Sequence, residues 1–274
     1  MEVFGNDFWF GNFHAKDYDL DLCSFEYDGT SDDEVFSVET EELFLSDSPR
    51  ASYQGQKYST KLEGQITLMR SPSKHSKQSE LILSEYDCRA IMRLVTGKRG
   101  YSWMKFVTET IGEDIWYKAR VNKVTLKRHN GEVMGIMLDV STDSYMGYSE
   151  EYRHIFTLQN GQELLFYSTS DDLDNYLYPN VQLIPQATGD LEIVNKSDIS
   201  TTYPNGYSVR FGQLTQGEII TMDGYHQIVQ GTHLDEFNGH WIRFVPNENR
   251  LVSNMDCIMQ LTYRLPRKVG FICR

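Results

Sequence analysis

The chain has no long hydrophobic run, few cysteines, no secretion-type opening and a shortage of positive charge, and each shortage removes a class of protein. No stretch of about 18 apolar residues occurs, so insertion into a membrane as a helix is not expected. The four cysteines, Cys23, Cys88, Cys257 and Cys273, lie far apart without a CxxC pair. That spacing predicts thiols rather than a disulfide framework or a zinc site. The opening Met-Glu-Val-Phe-Gly-Asn-Asp carries neither the basic nor the apolar region of a signal peptide, which predicts synthesis in a cytoplasm. With 26 Lys and Arg against 39 Asp and Glu, the net charge is −13. Such a surface cannot displace counterions from phosphate, so specific nucleic-acid binding is not expected.

Chemistry-bearing motifs are missing as well. GxSxG, GxxxxGK[ST] and a GxGxxG opening a helix are absent, and the seven histidines show neither HExxH nor HxH spacing. Carboxylate pairs such as Glu150-Glu151 and Asp171-Asp172 read as solvated charge in so acidic a chain. The separation a glycoside hydrolase needs is set across strands, not along the sequence. No cofactor, no metal and no enzymatic activity are expected.

What is present is the composition of a folded, strand-rich protein: 40% hydrophobic residues, with 17 Tyr and 14 Phe. The length of 274 residues accommodates two domains. One helix is predicted, over about 84–96. Ser84 suits the N-cap, Glu85 and Asp87 place negative charge in the first turn, and Cys88, Ile91, Met92 and Val95 form one apolar stripe. Gly97 suits a left-handed C-terminal position. The aromatic strand Tyr101–Val107 follows.

Before the helix, a strand ends in a turn at Gly11-Asn12, and a second strand is expected near 18–25. Nine acidic residues and no Lys or Arg then occupy Glu26 to Asp47. This reads either as a solvated loop and edge strand or as a surface that repels another polyanion, with Glu39, Glu41 and Glu42 as candidate residues of that surface. A strand is predicted at about 34–45, a loop from Ser46 to Gln56, and a strand at 57–70 with a clean period of two. Tyr58, Leu62, Ile66 and Leu68 share its apolar face. The two strands are expected to form a long β-arm over about 34–70, whose apolar row packs either on a neighbouring subunit or over its own domain.

After the helix, the apolar phase slips between Val121 and Val124, which predicts a bulge near Asn122-Lys123. Asn130-Gly131 between alternating runs predicts a hairpin. Residues 1–142 thus read as an α+β domain, and 143–151 as a linker without periodicity. Residues 152–274 read as a β-sandwich, with short strands at about 155–158, 162–168, 180–184, 190–195, 207–211, 217–221, 226–230, 241–245 and 257–265. One polar constellation stands out there: Asn238, His240, Trp241, Arg243, Glu248 and Arg250. Trp241 and Arg243 would share a strand face, either as a sugar or partner contact or as a core tryptophan beside an arginine reaching out to solvent. The sequon Asn195-Lys196-Ser197 has no meaning without secretion.

Several segments, in this order, resemble the distal tail protein (Dit) family of long-tailed, non-contractile phages of Gram-positive bacteria. They are Asp19-Leu20-Asp21-Leu22-Cys23-Ser24-Phe25, the Leu83–Asp87 entry to the helix with Thr96-Gly97 at its end, and Asn130-Gly131 followed by Gly135–Leu138. Tyr176–Val181, Thr221-Met222-Asp223-Gly224 and Tyr263–Gly270 complete the set. The resemblance implies a mainly β fold: an N-terminal belt domain with a β-arm and a C-terminal galectin-like sandwich. It further implies a homohexameric ring in the virion, seated between the major tail-tube protein and the tail-associated hub protein, with a channel for DNA. A receptor-binding protein is a further implied partner. The alternative is a carbohydrate-binding module for host cell-wall glycans.

Overall fold

The structure is a computed structural model that describes residues 7–23, 61–97, 99–107, 114–232 and 234–268, and the backbone alone of 38–43 and 52–58. It is mainly β with one α-helix among the described residues, and it divides into two compact units. One comprises Met1–Ser149 with Arg267–Arg274, and the other Glu150–Pro266. Arg267 and Lys268, described at this end of the chain, thus group with the first unit and not the second.

In the first unit, β1 (Asp7–Phe10) turns at Gly11-Asn12 into β2 (Phe13–His14), and β3 is only Asp21–Leu22. The strand expected over 18–25 is shortened by a 3-10 turn at Ala15–Tyr18, which ends on Asp19 at φ 57°; residues 24 and 25 lie outside the described set. β4 (Val38–Leu43) pairs antiparallel with β5 (Ser52–Tyr58) as a separate two-stranded sheet, with a register shift between Glu41 and Glu42. The expected loop from Ser46 is thus already strand by Ser52.

β6 (Glu63–Met69) does not extend that hairpin. It lies in the main sheet with β7 (Ser102–Val107), β8 (Trp116–His129) and β9 (Glu132–Thr142), in the order β2-β1-β7-β8-β9-β6-β3. Leu62, Ile66 and Leu68 are buried in the core of this unit together with Ile136 and Leu138. Their expected place on an intersubunit surface is corrected: side chains enclosed by their own domain leave nothing for a partner to cover. The strand has its period of two, but the apolar row faces inward, because register with β9 sets Ile66 opposite Leu138 and Leu68 opposite Ile136. The side chain of Tyr58 lies outside the described residues.

The helix α1 runs Glu85–Thr96. Asp87 N–H donates to Ser84 Oγ at 3.1 Å and Ser84 N–H donates to Asp87 Oδ2 at 3.3 Å, a reciprocal capping box. Cys88, Ile91 and Val95 bury against the sheet, while Met92 is half-buried. Gly97 ends the helix in right-handed conformation, at φ −72°, not in the left-handed one expected; the positive φ falls on Gly100. At the far end of the sheet, Asn130 (φ 52°) and Gly131 (φ 86°) make the two-residue turn between β8 and β9. The register shift between Val121 and Lys123 is the bulge that the phase slip predicts.

The expected linker is also partly structured. Met146 is buried, and β10 (Gly147–Tyr148) pairs with β8 through Tyr148 and Trp116. A Cβ on Gly147 would lie 2.3 Å from Ile115 Cγ2. The segment therefore packs by close backbone approach, which leaves no hydrophobic period to read.

The second unit holds two sheets. One orders β11 (Tyr152–Leu158), β19 (Cys257–Tyr263), β13 (Asn180–Pro185), β16 (Ile220–Asp223) and β17 (Ile228–Gln230) as 11-19-13-16-17. The other orders β12 (Glu163–Ser168), β18 (Asn247–Ser253), β14 (Gly189–Asn195) and β15 (Tyr207–Leu214) as 12-18-14-15. Alternate residues of both, such as Leu183, Met259 and Leu261 from one and Ile193, Phe211 and Leu251 from the other, form one core, so the unit is a β-sandwich. The strand expected at 241–245 reduces to an isolated bridge between Phe244 and Leu177. A strand arises instead at 247–253, in residues with turn-like composition. Its first residues are held by Asn249, whose buried carboxamide accepts from Val245 N–H at 2.8 Å and donates to Val245 O at 2.9 Å.

Candidate functional site

The remaining candidate residues fall in two regions, the β4–β5 hairpin of the first unit and the polar cluster around Arg243 in the second. In the hairpin, backbone register sets Glu39 opposite Lys57, Glu41 opposite Gly55 and Glu42 opposite Tyr53. All three candidate glutamates thus sit on β4, in a sheet hydrogen-bonded to no other strand among the described residues. The rest of the acidic segment, residues 26–37 and 44–47, lies outside the described residues.

In the sandwich, the expected constellation separates into independent contacts. Trp241 is half-buried against the core, with Phe237 edge-on at 5.4 Å, and its indole N–H is buried with no hydrogen-bond partner among the described residues. His240 stacks on Tyr207 at 4.8 Å, with Nδ1 2.8 Å from Ser208 O. Glu248 accepts from Tyr167 Oη at 2.7 Å and from Arg250 Nε at 2.6 Å on the exposed face of β12 and β18. These two donors hold its carboxyl below the usual range.

Arg243 is the centre of a different cluster. Its guanidinium lies between Tyr207 and Tyr176, 3.7 Å and 3.9 Å from their ring centroids, and Nε donates to Asp198 Oδ2 at 2.7 Å. Asp198 is 2% exposed and the Arg243 side chain 14%. Burial pulls the Arg243 pKa down, but hydrogen bonds to Asp198 and Tyr178 and the Asp198 charge outweigh it and leave the group above its ordinary value. Burial also pushes the Tyr207 phenol up to about 12. Asn195 extends the cluster by donating to Asn249 Oδ1 at 2.8 Å and to Arg243 O at 3.2 Å. The sequon asparagine is therefore a buried structural residue.

The paired reading of Trp241 and Arg243 as a contact face thus dissolves into a core tryptophan and a clamped arginine. Sequence reasoning missed Tyr176, Asp198, Tyr207 and Asn249. The available signal was the density of tyrosines across 176–207, segments that read as turns and short strands. Among the described residues no group of three or more His, Cys, Asp or Glu is placed to hold a metal, and no helix is long and apolar enough to cross a membrane.

The fold has counterparts among solved structures. The Dit (gp 19.1) protein of phage SPP1, described as a paradigm of the hub adsorption apparatus in Gram-positive infecting phages, aligns over 94% of this chain and 98% of its own at a TM-score of 0.64 and 11% identity. A chain of the phage p2 baseplate in its strontium-activated conformation aligns over 93% and 97%, at a TM-score of 0.51 and 9% identity. No curated protein matches the sequence. Two family models do: a phage tail protein N-terminal domain over residues 4–144 and a phage tail C-terminal domain over 146–263. The first alone spans more than half of the sequence. The chain therefore belongs to this family of phage tail proteins and has the fold of a distal tail protein.

Proposed function

We propose that this tail protein is a structural adaptor of the tail tip, a homohexameric ring that joins the tail tube to the hub and the receptor-binding apparatus. The β4–β5 hairpin carries this reading. A two-stranded hairpin is marginal alone in water and gains stability on another surface, and a sister copy in a ring supplies one. The arm is thus residues 38–58, shorter than the stretch to residue 70 suggested by periodicity alone. The major tail-tube protein, the tail-associated hub protein and a receptor-binding protein are its partners, a reading supported by the fold it shares with SPP1 Dit, a protein of a hub adsorption apparatus. The acidic run that includes Glu39, Glu41 and Glu42 borders the channel, where excess negative charge disfavours phosphate and DNA passes without adhering. The protein works by docking and not by turnover, made in the host cytoplasm and built into the virion.

The test is the mass of the purified full-length protein by light scattering, beside a variant shortened between Thr40 and Tyr58. The expected result is six chains for the parent and a folded single chain for the variant. A parent of one-chain mass, or a shortened variant that still forms hexamers, overturns the reading.

A further inference from the structure

The outer face of the five-stranded sheet carries a row of neutral polar side chains that the adaptor role does not use. Register places Gln260 opposite Gln182, Gln182 opposite Thr221, and Thr221 opposite Gln230, so one row crosses four strands. The adjacent row sets Thr262 opposite Asn180. Because successive residues alternate faces, Val181, Leu183, Met222, Met259 and Leu261 point into the core and this polar set points out. Together they line a groove of about 390 Å³, within the size range of small-ligand sites.

The chemistry of the lining is specific. Of its polar side chains four are carboxamides, two are hydroxyls, and Asp223 alone bears charge. Asp223 is already engaged, accepting from His226 N–H at 3.0 Å with its other oxygen 2.7 Å from His226 Nδ1. Among the described residues, the side chains of Gln182, Gln230 and Gln260 make no hydrogen bond within the chain. Each carboxamide offers both donors and an acceptor, the complement of a hydroxyl, which also does both. Ile228, 52% exposed on the groove wall, supplies hydrocarbon for the C–H face of a ring.

In a chain of net charge −13, a groove whose lone carboxylate is already engaged by His226 offers no cation to hold an anion. It also lacks the apolar, aromatic centre of a protein-docking surface. We infer that this groove binds a neutral saccharide, with Gln182, Gln260 and Thr221 bonding ring hydroxyls and Ile228 contacting a C–H face. The assignment holds whether or not the protein forms a ring, and neither Trp241 nor Arg243 lines the groove.

The test is ligand-observed saturation-transfer NMR on the full-length protein, which works at any oligomeric state. The probes are triacetylchitotriose, cellotriose and maltotriose, with trigalacturonate as the anionic control. At least one neutral trisaccharide is expected to bind. Gln182→Ala with Gln260→Ala should weaken binding roughly tenfold or more, as should the isosteric Gln182→Glu, with Trp241→Phe unchanged. Unaltered thermal unfolding of Gln182→Glu separates loss of binding from loss of fold. The assignment fails if no neutral probe binds, if trigalacturonate binds as well, or if the glutamine variants bind normally. It fails equally if this face proves to capture a protein and no sugar.

Discussion

Arg243 Nε donates to Asp198 Oδ2 at 2.7 Å while two tyrosine rings, Tyr176 and Tyr207, flank the guanidinium plane. A planar cation with a fork of donors can serve a carboxylate and two ring faces at once, which a lysine ammonium cannot. Three segments of the sandwich are tied at this point: the Tyr176 segment and the stretch leading to β18, which meet otherwise at the Leu177–Phe244 bridge, and the turn bearing Asp198.

Arg243→Met should therefore destabilise the protein by about 3–5 kcal/mol, because Asp198 remains buried without its partner. Arg243→Lys should recover only a minor part of that. Replacing Asp198 by Asn in the Met variant should restore stability by removing the stranded charge. Urea unfolding of the four proteins checks this; equal stability of Arg243→Met and the parent would make the clamp incidental.

Alkaline pH supplies an independent probe of the same sandwich. Burial raises the Cys257 thiol from 9.0 to about 11. Between those values the unfolded chain has lost the proton while the folded one keeps it, so the folded state binds more protons and stability falls as pH rises. The contribution is fully present below pH 9 and is lost by about pH 11, at up to roughly 1.4 kcal/mol per pH unit. Cys257→Val should flatten this part of the profile, measured by urea unfolding between pH 8 and 11, while the Tyr207 phenol keeps a further loss above pH 10.

Ile66 distinguishes a core strand from an intersubunit surface. Fully buried opposite Leu138, it should cost about 2–5 kcal/mol on substitution by Ala, with the same oligomeric state at temperatures where the variant is folded. A variant that keeps its stability and loses only assembly would restore the intersubunit reading of this strand.

The capping box makes a smaller prediction. Ser84→Ala should cost about 1 kcal/mol, seen as a lowered midpoint of the first unit's unfolding. Asp87→Ala should cost more, because Asp87 Oδ2 also accepts from Arg70 Nη2 at 3.3 Å.

Features that depend on neighbours along the chain were legible in advance. Ser84 and Asp87 are three residues apart and cap one another; Asn130 and Gly131 alone satisfy the two positive φ values of their turn; the bulge announces itself as a slip of phase at Asn122-Lys123. The mainly β character and the split between an α+β half and a sandwich rest on the same short-range periodicities. What no local pattern contains is which strand lies beside which. The alternation through Leu62, Ile66 and Leu68 reads identically whether its apolar row meets β9 or another molecule, and pairing across some 70 residues decided for the core. Arg243 likewise acquires its role only because Asp198, 45 residues away, is folded against it. The row of Gln182, Thr221, Gln230 and Gln260 exists only as four strands in register. Hydrogen bonds to the next turn are favoured by nearness along the covalent chain, whereas burial and cross-strand neighbours are fixed by the global free-energy minimum.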